Sequence, residues 1–430
     1  MTKEEIIELI EDEDVGFIRL QFTDIFGILK NIAVTPGQMA KVFSNKYSFE
    51  GSAIFGDRYK YDGKLYLYPD LDSFLILPWR PQQGKVAKLM CDVCYEDGTP
   101  FTMSSRYILK NVLEKAKKLG YTFMIDPECE FFLFHTDENG IPTTTTHDEA
   151  GYLDVGPIDF GENARREIVL MLEEMGFEIE SSHHEHAPAQ HEIDFGEAEA
   201  MDMADAIQNF KFAVRSVAKR FGLYATFMPK PRGDVAGSGM HINIRALKDG
   251  KNIFKQDGAG LTKDADAFIG GILKHAKALC GITNPIVNSY KRLMSGFDAP
   301  KDITWSYSGE QALVKFNKTM DDAKVELRSP DGAANPYLLL ASVIAAGLDG
   351  IENGYSAGDD ISKIDATVTK VESLPENLKD AMEILQKDEL IRNTLGEEFI
   401  NVYITIKLNE WKDYMTQVSS WELNRYLHKV

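Results

Sequence analysis

Cysteine and positive charge are both scarce in this chain of 430 residues, and each scarcity narrows the possible functions. Of the four cysteines, Cys91 and Cys94 form a single C-x-x-C in a strand-like segment, where residues three apart point to opposite faces. No second pair follows, so neither a structural zinc site nor a redox dithiol is expected. Lysine and arginine number 47 against 67 aspartates and glutamates, which gives a net charge of −20. Binding to nucleic acid or to anionic membranes favours the opposite balance.

Long apolar runs are missing as well. The longest, at residues 337–348, is too short to span a bilayer and predicts a buried helix. The N-terminal segment MTKEEIIELIEDEDVG is acidic and has no apolar stretch typical of a secretory signal. We therefore expect a cytoplasmic protein that binds neither nucleic acid nor membranes.

The character of the sequence changes near residue 103. Before it, short β-patterned segments such as VGFIRLQF, KLYLYPDL, SFLILPWR and KVAKLMCDVC predominate. After it, SSRYILKNVLEKAKKLG begins with a capping serine and ends with Gly120, as a helix does. Strands and helices alternate from there, and the region from about residue 374 is predicted to be helical. We expect two domains, residues 1–103 and 104–430, in an α+β protein.

One segment, HHEHAPAQHEIDFGE at residues 183–197, places many ionisable side chains around a predicted tight turn. If its flanks pair about the centre APAQ, His186 faces His191 and Glu185 faces Glu192. Like charges directly opposite on one face destabilise a sheet. The pattern therefore predicts a positive group, such as a cation, between the two glutamates.

Other strand-like segments add polar side chains to one face each. Glu128 and Glu130 are two apart in DPECEFFLF, His241 alternates with apolar residues in GSGMHINI, and Glu326 shares a face with Arg328 in KVELRS. Each has an ordinary interpretation, because a Glu-x-Glu strand is usually a solvated face and a lone histidine is usually a hydrogen-bonded one. Together, five carboxylates and one imidazole suit a pair of Mg²⁺ or Mn²⁺ ions, which typically bind phosphoryl oxygens.

Motifs distributed over the whole chain resemble class I glutamine synthetase, in the short alpha-type form that lacks the adenylylation-loop insertion. They are FIRLQFTDIFGILKN, PECEFFLF, GENARREIVLMLEEMGFEIESSHHE, APAQHEIDF, FMPKP, GSGMH, NPIVNSYKRL and VELRSPDGAANPYL. The resemblance implies an N-terminal β-grasp-like domain followed by a catalytic domain of the glutamine synthetase/guanido-kinase-like fold, with a curved antiparallel sheet. It also implies a homo-dodecamer of two hexameric rings, with active sites between subunits.

The resemblance assigns roles to individual residues. Glu130, Glu185 and Glu192 match the ligands of the ion near glutamate, and Glu128, His241 and Glu326 match those of the ion near the ATP phosphates. The expected substrate-binding residues are Gly237, Arg292, Arg328, Tyr152 and Glu185. The nucleotide-binding residues are Glu180, Asn243 and Lys324, and the catalytic set is Glu50, Asp298, Arg292 and Lys315. The implied reaction joins ammonia to the γ-carboxylate of glutamate through γ-glutamyl phosphate, with ATP as the phosphoryl donor.

Several positions depart from the family pattern. Glu50 and Ala53 lie where the family has DGSS, and the flap around Asp298 reads GFDAP rather than GYEAP. Ala236 replaces an asparagine and Lys324 an arginine. Glu310 and Lys315 align with two arginines that stabilise the transferring phosphate, and lysine lacks the guanidinium fork. The loss of one such donor costs roughly 3 kcal/mol of transition-state stabilisation.

These departures leave three alternatives open. The first is a glutamine synthetase in which the altered positions are compensated. The second is a related ligase that joins glutamate or another acid to a larger amine. The altered ammonium pocket is the observation that favours it. The third is a catalytically weak relative that acts as an oligomeric sensor or scaffold.

Overall fold

The computed structural model describes residues 1–79, 83–255, 258, 260–297, 299–309, 311–320, 322–363 and 371–430. Within these ranges the strands are β1 (Val15–Thr23), β2 (Leu29–Val34), β3 (Ser48–Glu50), β4 (Lys64–Pro69), β5 (Leu75–Ile76), β6 (Lys85–Cys94), β7 (Tyr121–His135), β8 (Ile179–His184), β9 (Gln190–Phe195), β10 (Ala198–Glu199), β11 (Leu223–Thr226), β12 (Met240–Lys248), β13 (Lys251–Asn252), β14 (Trp305–Ser306), β15 (Val314–Lys318) and β16 (Ala323–Leu327). The α-helices are α1 (Lys3–Asp12), α2 (Met39–Val42), α3 (Ser105–Lys118), α4 (Glu162–Glu174), α5 (Ala200–Arg220), α6 (Lys263–Thr283), α7 (Val287–Leu293), α8 (Pro336–Asn353), α9 (Leu378–Leu385), α10 (Glu389–Leu395), α11 (Glu397–Met415) and α12 (Ser420–Tyr426).

The first sheet belongs to the N-terminal part of the chain, in the order β2-β1-β6-β4-β3, with β5 also paired to β6. Strands β1 and β6 run parallel, and the other pairs are antiparallel. This mixed sheet has the β-grasp architecture that was expected. Arg106 on α3 joins it to the rest of the molecule, since its Nη2 lies 2.7 Å from Asp70 Oδ2 and 3.0 Å from Asp205 Oδ2.

The second sheet carries the polar strands. Its order is β14-β15-β16-β12-β7-β9-β8, and β10 and β11 pair with β7 while β13 pairs with β12. The expected antiparallel arrangement holds except for the short parallel pair of β14 and β15. Long β7 runs through the middle and pairs with β12 on one side and β9 on the other.

Side-chain alternation gives this second sheet one apolar and one polar face. Cys129, Phe131, Ile193, Ile242 and Val325 are all fully or almost fully buried in the main core. Their sequence neighbours point to the opposite face, which carries the glutamates and His241. The apolar face therefore fixes the sheet to the helices and leaves the polar face available for chemistry.

Helices α6 and α8 pack closely enough that their backbones touch. A Cβ atom on Gly271 would lie 2.1 Å from the carbonyl oxygen of Ala346, and one on Gly350 would lie 2.0 Å from that of Ala267. No larger residue fits at either position without a shift of the backbone. Glycine at both positions thus sets the distance between the two helices.

Several local predictions are confirmed and some are wrong. The helix after Ser104 forms as predicted, and the predicted helix at residues 264–279 extends over α6. The segment SFLILPWR is not a full strand, because β5 covers only two of its residues and a 3₁₀ turn at Leu71–Ser73 leads into it. All four cysteines are buried free thiols. In the described residues, no helix is both long enough and apolar enough to cross a membrane.

Candidate active site

The register of β7 against its neighbours brings the predicted glutamates and histidine together. Glu128 lies opposite His241 on β12, and Glu130 lies opposite Glu192 on β9. Glu326 on β16 lies opposite Asn243, two residues along β12 from His241. Since residues two apart share a face, these side chains line one continuous strip across four strands. They form the floor of a cleft of about 480 Å³.

One end of the strip is a compact trio, Glu128, His241 and Glu326, whose potential ligand atoms all lie within 4.8 Å of one another. His241 Nδ1 is 2.9 Å from Glu128 Oε2 and 3.5 Å from Glu326 Oε1. Asn243 donates to Glu128 Oε1 at 3.0 Å, and Asn317 donates to Glu326 Oε2 at 2.7 Å. Each carboxylate is therefore held in place by an amide and an imidazole.

His241 offsets part of the negative charge of the two glutamates in this trio. Burial opposes ionisation of Glu128, but the hydrogen bond and charge of His241 outweigh it and lower the pKa of Glu128 to about 2. Burial also opposes protonation of His241, yet the hydrogen bond and charge of Glu128, with the charge of Glu326, raise its pKa above the ordinary value. A metal ion bound by the trio would replace the proton between His241 and the two carboxylates.

The β8–β9 hairpin forms with a different register from the one predicted. His184, not His186, pairs with His191, and His183, not Glu185, lies opposite Glu192. The expected tight turn at APAQ is confirmed, since the amide of Gln190 donates to the carbonyl of Ala187 at 3.0 Å and Ala189 takes a left-handed conformation with φ of 64°. The register differs because the amide of Glu185 donates to the carbonyl of Gln190 at 2.8 Å. The shift is two residues, so the predicted faces are kept. Glu185 and Glu192 remain on the cleft side, as diagonal neighbours.

A second trio therefore contains His183, Glu185 and Glu192, again with ligand atoms within 4.8 Å of one another. Glu130, the third predicted ligand of this group, lines the same cleft but lies outside that distance. Its Oε2 accepts a hydrogen bond of 2.8 Å from the Gln190 side chain, which also donates to the carbonyl of Gly237 at 3.0 Å. Gln190 thus ties the hairpin to the Gly237 loop.

The carboxylates around the second trio are crowded. Burial, followed by the charges of Glu130, Asp194 and Glu185, raises the pKa of Glu192 to about 12. Burial, together with the charge of Glu185, also raises the pKa of Glu130. Such shifts show that the carboxylates receive too little positive charge from the described side chains. This donor set of clustered oxygens fits a hard divalent cation such as Mg²⁺ or Mn²⁺.

Two arginines and a glycine loop also line the cleft, beside the carboxylates. Arg292 is buried and donates from Nη1 to the carbonyl of Ser329 at 2.8 Å, and Arg328 Nε lies 3.1 Å from Glu326 Oε1. A Cβ atom on Gly237 would lie 2.2 Å from the carbonyl oxygen of Pro229, so the loop requires glycine there. All three residues line the cleft.

Other predicted residues are placed less uniformly. Tyr152 and Lys315 line the cleft. Lys324 forms an ion pair of 2.7 Å with Asp126, one row beyond Glu128. Glu50 and Glu180 do not line the cleft in the described part of the chain. Glu50 belongs to β3 in the other sheet, and Glu180 lies in the exposed part of β8. Asp298 and Glu310 lie outside the described residues.

Sequence reasoning missed His183, Gln190 and Asn317 as site residues. His183 and Gln190 stand in the quoted hairpin segment at even spacing from Glu185 and Glu192, and that alternation could have placed them on the cleft side. Asn317 is two residues after Lys315 on β15 and gave no separate signal. Its role follows only from the pairing of β15 with β16.

Comparison with known proteins agrees with this arrangement. Residues 14–96 match the glutamine synthetase β-Grasp domain, and residues 102–426 match the glutamine synthetase catalytic domain. A glutamine synthetase from Clostridium saccharobutylicum is 49% identical over 438 residues, covering 100% of this chain and 99% of the relative. One from Staphylococcus aureus is 45% identical over 437 residues, with 99% and 98% covered.

Solved structures lead to the same fold. A GmaS/ADP complex superposes with a TM-score of 0.88 at 34% identity and covers 98% of this chain and 99% of that chain. GmaS without ligand superposes with the same score at 35% identity. Members of this family are ligases that use ATP and a divalent metal to act on glutamate. By two domain matches and by relatives that are similar from end to end, the chain belongs to the class I glutamine synthetase family.

Proposed function

We propose that this family member ligates ammonium to the γ-carboxylate of glutamate through γ-glutamyl phosphate. The observation that carries the proposal is the presence of two acidic trios together with Arg292 and Arg328 in one cleft. A carboxylate oxygen of glutamate attacks the γ-phosphorus of ATP and ADP leaves. A carboxylate of the cleft then accepts a proton from ammonium, the neutral nitrogen attacks the acyl carbon, and phosphate leaves with the second proton that the nitrogen loses.

The carboxylates and His241 would form two metal-binding sites along the strip. Glu128, His241 and Glu326 would hold one Mg²⁺ or Mn²⁺, and Glu130, Glu185 and Glu192 would hold a second. When bound, such ions supply positive charge to phosphoryl and carboxylate oxygens.

The organic substrates would contact the walls of the cleft. Arg292 and Arg328 suit the carboxylates of glutamate, because a guanidinium donates two parallel hydrogen bonds. Gly237 lies in the loop that would contact the main chain of the substrate. Glu180, Asn243 and Lys324 are assigned to the nucleotide, and Lys315 is assigned to the transferring phosphate.

The ammonium pocket would combine Tyr152 with the negative charges of Glu50 and Asp298. Because Glu50 lies outside the cleft of its own chain, we propose that it completes the cleft of a neighbouring subunit in a homo-dodecamer of two rings. The exposed apolar side chains of Val418, Trp421 and Leu427 provide further contact surface for such an assembly.

A larger amine is the second candidate substrate, and one feature favours it. The ring of Tyr152 stacks on His186 with centroids 4.6 Å apart and meets His183 edge-on at 5.5 Å. Aromatic faces at the mouth of a cleft attract alkylammonium ions. Ala53, which stands where the family has the last serine of DGSS, would also enlarge the ammonium pocket.

An amine panel separates the two candidates. Purified protein with Mg²⁺, ATP and glutamate is given ammonium, methylamine or ethylamine, and phosphate release and the mass of the product are measured. We expect the highest rate with ammonium and glutamine as the product. Turnover confined to an alkylamine would replace the first proposal by the second, and a lack of phosphate release with every amine would overturn both. The Glu192→Gln variant provides the background rate.

A further inference from the structure

A second group of ionisable side chains lies behind the β8–β9 hairpin, on the face opposite Glu185 and Glu192. It contains His184 and His191 from the hairpin and His147, Asp148 and Asp159 from the segment that precedes α4. Both hairpin histidines are fully buried. We refer to these five residues as the histidine–aspartate cluster, and the proposed reaction uses none of them.

The cluster has the spacing of a metal site. The potential ligand atoms of His147, Asp159 and His191 lie within 4.8 Å of one another, and so do those of Asp148, Asp159 and His184. Asp148 connects the two trios, since its Oδ2 is 3.0 Å from His147 Nε2 and its Oδ1 is 3.4 Å from His184 Nε2. Two ligands bound tetrahedrally at zinc–nitrogen or zinc–oxygen bond lengths are separated by roughly 3.3 Å.

Backbone contacts fix the tautomers of two of these histidines. His147 Nδ1 is 2.9 Å from the carbonyl oxygen of Leu133, and His184 Nδ1 is 2.7 Å from that of Glu185. A carbonyl oxygen only accepts hydrogen bonds, so each Nδ1 carries a proton, and each Nε2 lies beside Asp148. This is the arrangement of metal-binding histidines, whose other nitrogen donates to a carbonyl or carboxylate. Lone pairs facing a carboxylate repel it unless a proton or a metal ion lies between.

Hydrogen bonding does not account for the contact between His147 and Asp148. Although His147 Nε2 and Asp148 Oδ2 are only 3.0 Å apart, neither atom has a hydrogen-bond partner among the residues that the structure describes. Both atoms are buried, and a buried polar atom without a partner costs free energy.

Arg165 defines the remaining side of the cluster. Its Nη1 lies 2.6 Å from Asp159 Oδ2 and 2.8 Å from His191 Nδ1. A guanidinium only donates, so His191 accepts at Nδ1, keeps its proton on Nε2 and is not a ligand. Asp159 retains a free lone pair on each oxygen, because its two hydrogen bonds, from Arg165 and from the amide of Gly161, leave one on each.

We propose that the histidine–aspartate cluster binds one zinc-class transition-metal ion through His147 Nε2, His184 Nε2, Asp148 and Asp159. Two imidazoles and two carboxylates favour Zn²⁺ over Mg²⁺, whereas the cleft on the other face is dominated by carboxylates. The bound ion would join the segment carrying His147 to the hairpin that carries Glu185. A structural ion would then lie behind the catalytic ions.

Zinc uptake by the full-length protein tests the proposal. Protein stripped with a chelator is dialysed against micromolar Zn²⁺ with millimolar Mg²⁺ present, and retained zinc is measured by mass spectrometry. The wild type is compared with H147Q and D148N in the cluster, with E326Q in the acidic cleft and with H428Q at the exposed C-terminus. In H147Q the glutamine amide can still donate to Leu133, and circular dichroism checks that each variant is folded.

We expect wild type, E326Q and H428Q to retain one zinc per chain that folded H147Q and D148N lack. Zn²⁺ should also raise the unfolding temperature of the wild type but not that of H147Q. Equal zinc in wild type and H147Q would overturn the proposal, and so would a zinc that is lost only in E326Q. Absence of retained zinc from the wild type would show that protons occupy the cluster instead.

Discussion

Two histidines in this protein each lie between two carboxylates, one in the cleft and one among the helices behind it. His241 contacts Glu128 and Glu326 through the same nitrogen, Nδ1, at 2.9 and 3.5 Å. His275 on α6 instead uses both nitrogens: Nδ1 is 2.7 Å from Asp388 and Nε2 is 3.1 Å from Asp349. The residue types are nearly the same, but the acceptors are distributed differently around the ring.

This distribution separates a ligand set from an ion pair. When each ring nitrogen has its own carboxylate, the imidazolium is fully hydrogen-bonded and the group links α6 with α8 and with the start of α10. When both carboxylates gather on one nitrogen, three ligand atoms converge on a small volume inside an open cleft. We therefore expect changes at His241 and its partners to alter catalysis, and changes at His275 to alter stability.

The largest effect is expected from Glu326→Gln. The substitution keeps the size of the side chain but removes a charge from the cleft trio, and the rate of ATP-dependent phosphate release should fall by roughly a hundredfold or more. The unfolding temperature should change little, because the cleft is not part of the apolar core. The exposed Glu138→Gln serves as the matched control. A rate within threefold of wild type for E326Q would remove the trio from the catalytic mechanism.

A smaller effect, and of the opposite kind, is expected from His275→Gln. The buried imidazole makes two hydrogen bonds to charged groups, so its loss should lower the free energy of unfolding by about 2 kcal/mol. The midpoint of urea unfolding measures this change, and kcat should stay within about twofold of wild type. His428→Gln, at the exposed C-terminus, should leave both quantities unchanged. A large loss of kcat with an unaltered midpoint would contradict the comparison.

The smallest effect concerns pH: the difference in free energy of unfolding between wild type and H275Q should depend on it. Burial opposes protonation of His275, but hydrogen bonds to Asp388 and Asp349 outweigh it and raise its pKa in the folded state. A raised pKa stabilises the fold fully below the unfolded value of about 6.5, and the contribution is lost as pH rises through the folded value. The difference in free energy of unfolding between wild type and H275Q should thus be larger at pH 6 than at pH 9. A constant difference would mean that folding does not raise the pKa of His275.

The sequence predicted the chemistry of the cleft better than its geometry. Alternation within single strands placed Glu128, Glu130 and His241 on the correct faces, since the period of a strand is two residues. The register of the hairpin could not be predicted in this way, because it depends on the conformation of Ala189 and on the pairing of β9 with β7.

Contacts between distant segments were beyond the reach of the sequence patterns. His147 and Asp159 lie in loops, where no periodicity relates them to His184, and their meeting depends on how the segment before α4 folds over the hairpin. Asn317 reaches Glu326 only through the pairing of β15 with β16. Likewise, nothing near His275 in the sequence indicates Asp349 or Asp388.

The glycines at the α6–α8 contact have one more consequence. Gly271 lies one helical turn before His275, and Gly350 directly follows Asp349, so the two partners of the ion pair flank the place where the main chains meet. The distance between His275 and Asp349 is therefore set by how closely the two helices can approach, and not by the lengths of the two side chains. Any residue larger than glycine at either position would stretch the link even though the charged residues themselves stayed unaltered.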